Sequence, residues 1–147
     1  MKNYSTFIDI LLNQNDDIIC IASLTEDQFN KLFQLNNHYI KYRLATNPNL
    51  TKQQINKLFK LNNYNINYYL SKNPNLTQGQ INKLLELKNN DINSNLATNP
   101  NLTEKQINKL LKEDNEQIII NLVHNKNIDI SIKEAIIDQY IKNSIFK

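Results

Sequence analysis

Apolar residues recur along this chain in two alternating spacings. In the longer one, Ile55, Leu58, Phe59 and Leu61 follow an i, i+3, i+4 pattern, and Ile81, Leu84, Leu85 and Leu87 repeat it. The pattern predicts an amphipathic helix with these residues on its inner face. The shorter one is a pair at i, i+4: Ile40 and Leu44, Ile66 and Leu70, Ile92 and Leu96, Ile118 and Leu122. It suits about two helical turns. "LNN" and its variants stand between the two, where asparagine, a poor helix former that favours turns, breaks the helix. After the short element, proline pushes Asn47, Asn73 and Asn99 out of the α region and ends it.

The two spacings belong to one repeated phrase. Pro48, Pro74 and Pro100 are 26 residues apart, in "ATNPNLTKQQINKLF", "SKNPNLTQGQINKLL" and "ATNPNLTEKQINKLL". An earlier copy, residues 23 to 45, lacks only Asn-Pro-Asn, and "HNKNID" at 124 to 129 puts Lys126 where the proline would stand. Each copy carries a helix start: Thr25, Thr51, Thr77 and Thr103, each followed three residues later by Gln28, Gln54, Gln80 or Gln106. This is a capping box, in which two side chains satisfy two orphan backbone N–H groups. The preceding leucine and the apolar residue after each glutamine, such as Leu50 and Ile55, stand at hydrophobic-staple positions. One such unit cannot bury its apolar face alone, whereas stacked units can. The expectation is therefore an all-α solenoid of about 26-residue two-helix repeats forming a single domain over 1–147. Its N-terminal cap is 1–22, with a helix at 6 to 12. Four repeats fill 23–125. The C-terminal cap is 126–147, with a helix at 130 to 146 that turns Ile132, Ile136, Ile137, Tyr140 and Ile141 inward.

The phrase "LATNPNLTxxQINKLL", with an Ile-x-x-x-Leu element before it, resembles the leucine-rich repeat variant family over residues 23 to 127. The resemblance implies an α-helix alternating with a short 3₁₀-type helix, a right-handed superhelix, no cofactor and no enzymatic activity. The units here are slightly longer than is usual for that family, and the cysteine cluster of some members is absent.

Composition narrows the function classes. The 28 asparagines, 21 isoleucines and 16 lysines share A/T-rich codons and point to an A/T-rich genome, such as a low-GC bacterium or one of its phages. Cys20 stands alone in an apolar run, which excludes an internal disulfide and argues for a buried small hydrophobe over a metal ligand. A formal charge of +3 permits nucleic acid as a partner without demanding it. The longest apolar runs fall well short of the roughly 18 residues of a membrane span. No secretory signal follows the start, so the expected compartment is the cytoplasm. His38 and His124 lie in different copies without a placed nucleophile or acid, and the expected protein is not an enzyme and takes no metal, cofactor or small-molecule substrate.

Binding residues are expected where the copies disagree, because those positions are free of the stacking constraint. Tyr39, Tyr42, Tyr64, Tyr68 and Tyr69, five of seven tyrosines, crowd into the first two inter-helix segments with His38 and the single arginine, Arg43. Tyrosine and arginine dominate binding hot spots. For Tyr42 and Tyr68 an inward-packed reading stands beside this one, since Ile120 holds the same repeat position. The rows Asn47, Asn73, Asn99, Asn125 and Asn49, Asn75, Asn101, Asn127 read as amides that satisfy tight turns. Lys31, Lys57, Lys83 and Lys109 recur at one position, either as a row tracking phosphates or as a solvated face. The leading expectation is a non-catalytic module that binds a protein partner within a larger complex. Its concrete form is a phage or mobile-element inhibitor of a host machine such as a CRISPR-type or other nuclease defence. The alternative is a nucleic-acid-binding solenoid.

Overall fold

The computed structural model of the chain describes residues 19, 20 and 22–145, with side chains through 142. The N-terminal helix expected at 6 to 12 lies outside the described residues. Every regular element among the described residues is an α-helix. Contacts gather the chain into two units, Met1–Asn75 and Leu76–Lys147. In the first, α1 is Glu26–Gln34, α2 His38–Thr46, α3 Lys52–Phe59 and α4 Tyr64–Leu70. In the second, α5 is Gln78–Leu85, α6 Asn90–Leu96, α7 Glu104–Leu111, α8 Glu116–His124 and α9 Ile130–Ile145.

Helices α1, α3, α5 and α7 start at the four expected capping boxes. In each, the threonine side chain accepts from the N3 backbone N–H while the N3 glutamine accepts from the threonine N–H. The staple leucines Leu50 and Leu76 are buried, as are Ile55 and Ile81. The short helices start at a second cap that the turn reading of "LNN" passes over. Asn37, Asn63, Asn89 and Asn115 are N-caps whose side chains accept from the backbone N–H of Ile40, Ile66, Ile92 and Ile118. The apolar pair of each short helix is fully buried.

The residue before three of these caps turns the chain through a left-handed backbone: Asn62 at φ 45°, Lys88 at φ 49° and Asp114 at φ 47°. Lysine carries a Cβ penalty there that asparagine and glycine largely escape. Lys88→Gly is therefore expected to raise stability by about 0.5–1 kcal/mol after the extra unfolded-state entropy of glycine is subtracted. A urea titration checks it, and a lower midpoint would contradict the strain assigned to Lys88.

Two inward placements need correction. Leu61 and Leu87 are exposed, because α3 ends at Phe59 and α5 at Leu85 and residues beyond a helix end no longer follow its period. On α9, Ile136 is buried and Ile132 and Tyr140 are half-buried, but Ile137 and Ile141 face outward. The packed stripe runs at i, i+4 through 132, 136 and 140. The other two isoleucines fall one residue to its side, and with the 70% exposed Ile130 they leave α9 with a second, open apolar stripe.

The Asn-Pro turn does more than end a helix. Asn47 is buried; its Nδ2 donates to the Ile19 and Ala22 carbonyls at 2.7 and 2.8 Å, and its Oδ1 accepts from the Asn49 N–H. Asn73 donates to the Asn47 carbonyl at 2.7 Å. In the second unit Asn125 donates to Ala97 and Asn99 carbonyls at 3.0 and 2.9 Å and accepts from the Asn127 N–H. The amide thus ties its own turn to the turn one copy earlier. Asn125 takes the same extended conformation as Asn47, ψ 115° in both, although Lys126 follows it instead of proline. The asparagine is thus sufficient for the turn.

The capping glutamines form a second tie. Gln54 Nε2 donates to Glu26, and Gln106 Nε2 donates to the Gln78 carbonyl and to Asn82 Oδ1. One end of each side chain starts its own helix, and the other reaches the preceding copy.

Candidate functional site

Helices α2 and α4 are held by their apolar residues, and this sets what they show outward. Ile40, Leu44 and Ala45 are buried on α2, and Ile66 and Leu70 on α4. Side chains away from that stripe form the opposite faces, where residues four apart meet. On α2, the His38 and Tyr42 rings lie 6.4 Å apart and the Arg43 guanidinium stands 5.8 Å from the Tyr39 ring centre. On α4, Tyr64 and Tyr68 stack at 6.5 Å, and Lys72 Nζ lies 4.5 Å from the other side chain's ring centre, that of Tyr68. Tyr68 and Tyr69 meet edge to face at 5.4 Å.

The two helices are joined by Tyr42 and Tyr69, whose rings are 6.0 Å apart. Asn65 Nδ2 donates to the Tyr42 hydroxyl at 3.3 Å. The rings of His38, Tyr42, Tyr69, Tyr68 and Tyr64 therefore form one unbroken cluster. The inter-helix contact runs on a diagonal, from one repeat position to the next.

That diagonal separates structural from available tyrosines. In the second unit the residues equivalent to Tyr42 and Tyr69, two copies on, are Ser94 and Asn121. There Asn121 Nδ2 donates to the Ser94 carbonyl and hydroxyl at 2.8 and 3.0 Å. The same joint is made by ring contact in one unit and by hydrogen bonds in the other. Tyr42 and Tyr69, both half-buried, thus serve the joint. Ile120, which suggested an inward position for Tyr42 and Tyr68, is itself 41% exposed. Tyr64, at 50%, is the most open tyrosine of the cluster, and Tyr39, beside the Arg43 guanidinium on α2, is 44% exposed.

A charge feature accompanies the rings. From Gln28 to Leu85 the sequence contains no aspartate or glutamate, yet it holds Lys31, Lys41, Arg43, Lys52, Lys57, Lys60, Lys72 and Lys83. The small net charge of the whole chain conceals this segregation. Counting the sign of charge along the chain would have found it.

The lysine row is differently placed. Lys31 pairs with Asp27 at 2.6 Å. Lys57 pairs with Glu26, donates to Asn30 Oδ1 and lies 5.9 Å from the Phe29 ring centre. The Lys57 hydrogen bond holds the Glu26 carboxyl below its ordinary pKa. Lys83 and Lys109 are exposed, and Lys109 shares an open groove with Glu104 and Glu113. Two of the four lysines, Lys31 and Lys57, are therefore paired with carboxylates.

Among the described residues no three His, Cys, Asp or Glu side chains gather as a metal site would require. No helix there is long and apolar enough to cross a membrane. His124 Nδ1 lies 2.8 Å from the Ile120 carbonyl, one turn back on its own helix. Cys20 Sγ accepts from the Thr46 hydroxyl at 3.0 Å. No protein-family model, curated protein or solved structure matches this chain.

Proposed function

We propose that the chain is a non-catalytic, protein-binding helical-repeat module of the α-solenoid, leucine-rich-repeat-variant kind, and that the α2/α4 face carries its binding site. The observation behind this reading is the ring cluster with the half-exposed Tyr64 at its margin, together with the half-exposed Tyr39 on the helix that carries His38 and Tyr42. Large, rigid side chains of low conformational entropy, set on helices and flanked by cations, are what interface hot spots are made of. The narrower role, a phage or mobile-element inhibitor of a larger host complex, rests on codon-biased composition and repeat type alone.

The test is Tyr39→Ala/Tyr64→Ala. Neither side chain belongs to the diagonal joint, so the urea midpoint should stay within about 0.5 kcal/mol of the parent, as for surface substitutions generally. Capture of the partner by the tagged chain from its native host should fall at least about tenfold, the effect of losing roughly 1.4 kcal/mol or more of contact. Undiminished capture by the double variant would refute the assignment.

The nucleic-acid reading is less well supported. A lysine row that tracks phosphate needs uncommitted cations, and Lys31 and Lys57 are engaged by Asp27 and Glu26.

A further inference from the structure

We infer that the cleft at the end of α8 binds inorganic phosphate. The site is separate from the α2/α4 face and does not rest on it. Two observations carry it.

The first is a departure that the turn does not require. Pro48, Pro74 and Pro100 follow the turn asparagine in three copies, whereas Lys126 follows Asn125, and His124 stands where Thr46, Lys72 and Thr98 stand in those copies. Asn125 holds the same extended backbone as Asn47 and builds its turn without proline. Turn geometry therefore does not account for an ammonium group at 126.

The second is the cleft itself. Thr98, Asn121, His124, Asn125, Lys126 and Asn127 line an open cleft of about 260 Å³. That is smaller than the roughly 300–1,000 Å³ of pockets for drug-sized ligands, and it suits a small ion. Two of its side chains are already fixed. Asn125 makes three bonds across the turn, and Asn121 donates to Ser94 and accepts from Gln117 at 2.9 Å. A lining held this way is preorganised and loses little freedom on binding.

The remaining groups match hydrogenphosphate atom for atom. The Lys126 ammonium and the Asn127 amide are donors, and none of the six lining residues is acidic. The Ile120 carbonyl, 2.8 Å from His124 Nδ1, can only accept, so Nδ1 carries the proton and Nε2 of the neutral ring is an acceptor. Phosphate oxygens can take a charge-assisted bond from Lys126 and a second bond from Asn127, while the P–OH donates to Nε2. Sulfate lacks that hydroxyl. The carbonyl end of α8 opposes an anion, but its Ile120 and Leu122 carbonyls already receive the His124 ring and the Asn125 N–H.

The experiment is a heteronuclear NMR titration of the full chain near pH 7.5, at constant ionic strength, with inorganic phosphate, sulfate and O-phosphoserine. At that pH the monoester, with a second pKa of about 6, has lost its P–OH. Phosphate should shift the Thr98 and Asn127 amides saturably and bind tightest of the three. Lys126→Pro, which restores the residue of the other copies, should weaken phosphate about tenfold, the loss of one charge-assisted bond. Lys126→Gln, which keeps the backbone N–H, repeats the test should proline disturb the turn. His124→Leu should bring phosphate down to the level of sulfate, which a merely structural role for the ring would not do. No saturable shift with phosphate, sulfate or O-phosphoserine binding as tightly as phosphate, or unchanged affinity in the Lys126 variants would overturn the inference.

Discussion

Asn125→Ala is expected to cost about 3 kcal/mol of stability, near the top of what a single polar substitution does. The side chain is 5% exposed and makes three bonds, donating to Ala97 and Asn99 carbonyls and accepting from the Asn127 N–H. Alanine leaves all three backbone groups without that partner, and each buried group so left loses roughly 1–3 kcal/mol, tempered by water reaching the turn. Asn125→Asp should be worse than alanine. It keeps the acceptor for Asn127 but turns a carboxylate oxygen toward two carbonyl oxygens that had received N–H groups. Urea unfolding checks the order parent, alanine, aspartate. An alanine cost under about 1 kcal/mol would mean that the amide serves only its own turn.

Asn93→Leu is expected to act in the opposite direction, adding about 1–2 kcal/mol. Asn93 lies on α6 at 1% exposure, and neither its Nδ2 nor its Oδ1 has a hydrogen-bond partner. A desolvated amide without partners costs more than an apolar group of similar shape, and leucine keeps the branch at Cγ. The next copy places Ile119 at this repeat position, so an aliphatic side chain has a precedent within the same unit. The larger volume of leucine offsets part of the gain. Asn93→Val, which adds less bulk, separates overpacking from polarity. Loss of stability in both variants would show that the amide is satisfied and belongs to the structure.

How much of this was legible in the sequence depends on how local the cause is. The capping boxes at Thr25, Thr51, Thr77 and Thr103 involve residues three apart, and the helix starts could be read directly. The inner face was readable only as far as the helix continued. Leu61 and Leu87 keep the apolar spacing, but helices α3 and α5 end before them, and no strong stop signal marks that boundary. Left-handed turns at Lys88 and Asp114 gave no warning, because neither residue is the glycine that usually announces one. Asn47 and Asn125 were legible as turn residues. Their donation to the preceding copy was not, since it joins residues more than 20 apart in sequence and is fixed by packing.

The candidate site followed the same rule. Disagreement between copies singled out the tyrosines, which the structure sets on α2 and α4. Which of them serve the joint emerged only when Tyr42–Tyr69 was set beside Ser94–Asn121, a contact offset by one position that no alignment of the copies suggests. The acid-free tract from Gln28 to Leu85 was visible all along, but an overall charge of +3 averages it away.

The division of labour between the repeated phrase and the variable short helices is tested most directly by partner capture, normalised to folded protein, for Asn125→Ala and Tyr39→Ala/Tyr64→Ala side by side. The phrase should matter for stability alone: Asn125→Ala lowers the urea midpoint yet captures as much partner per folded molecule as the parent, while the tyrosine variant keeps the midpoint and loses capture. Loss of capture by folded Asn125→Ala, with full capture by the tyrosine variant, would place the binding surface in the repeated phrase and contradict this division.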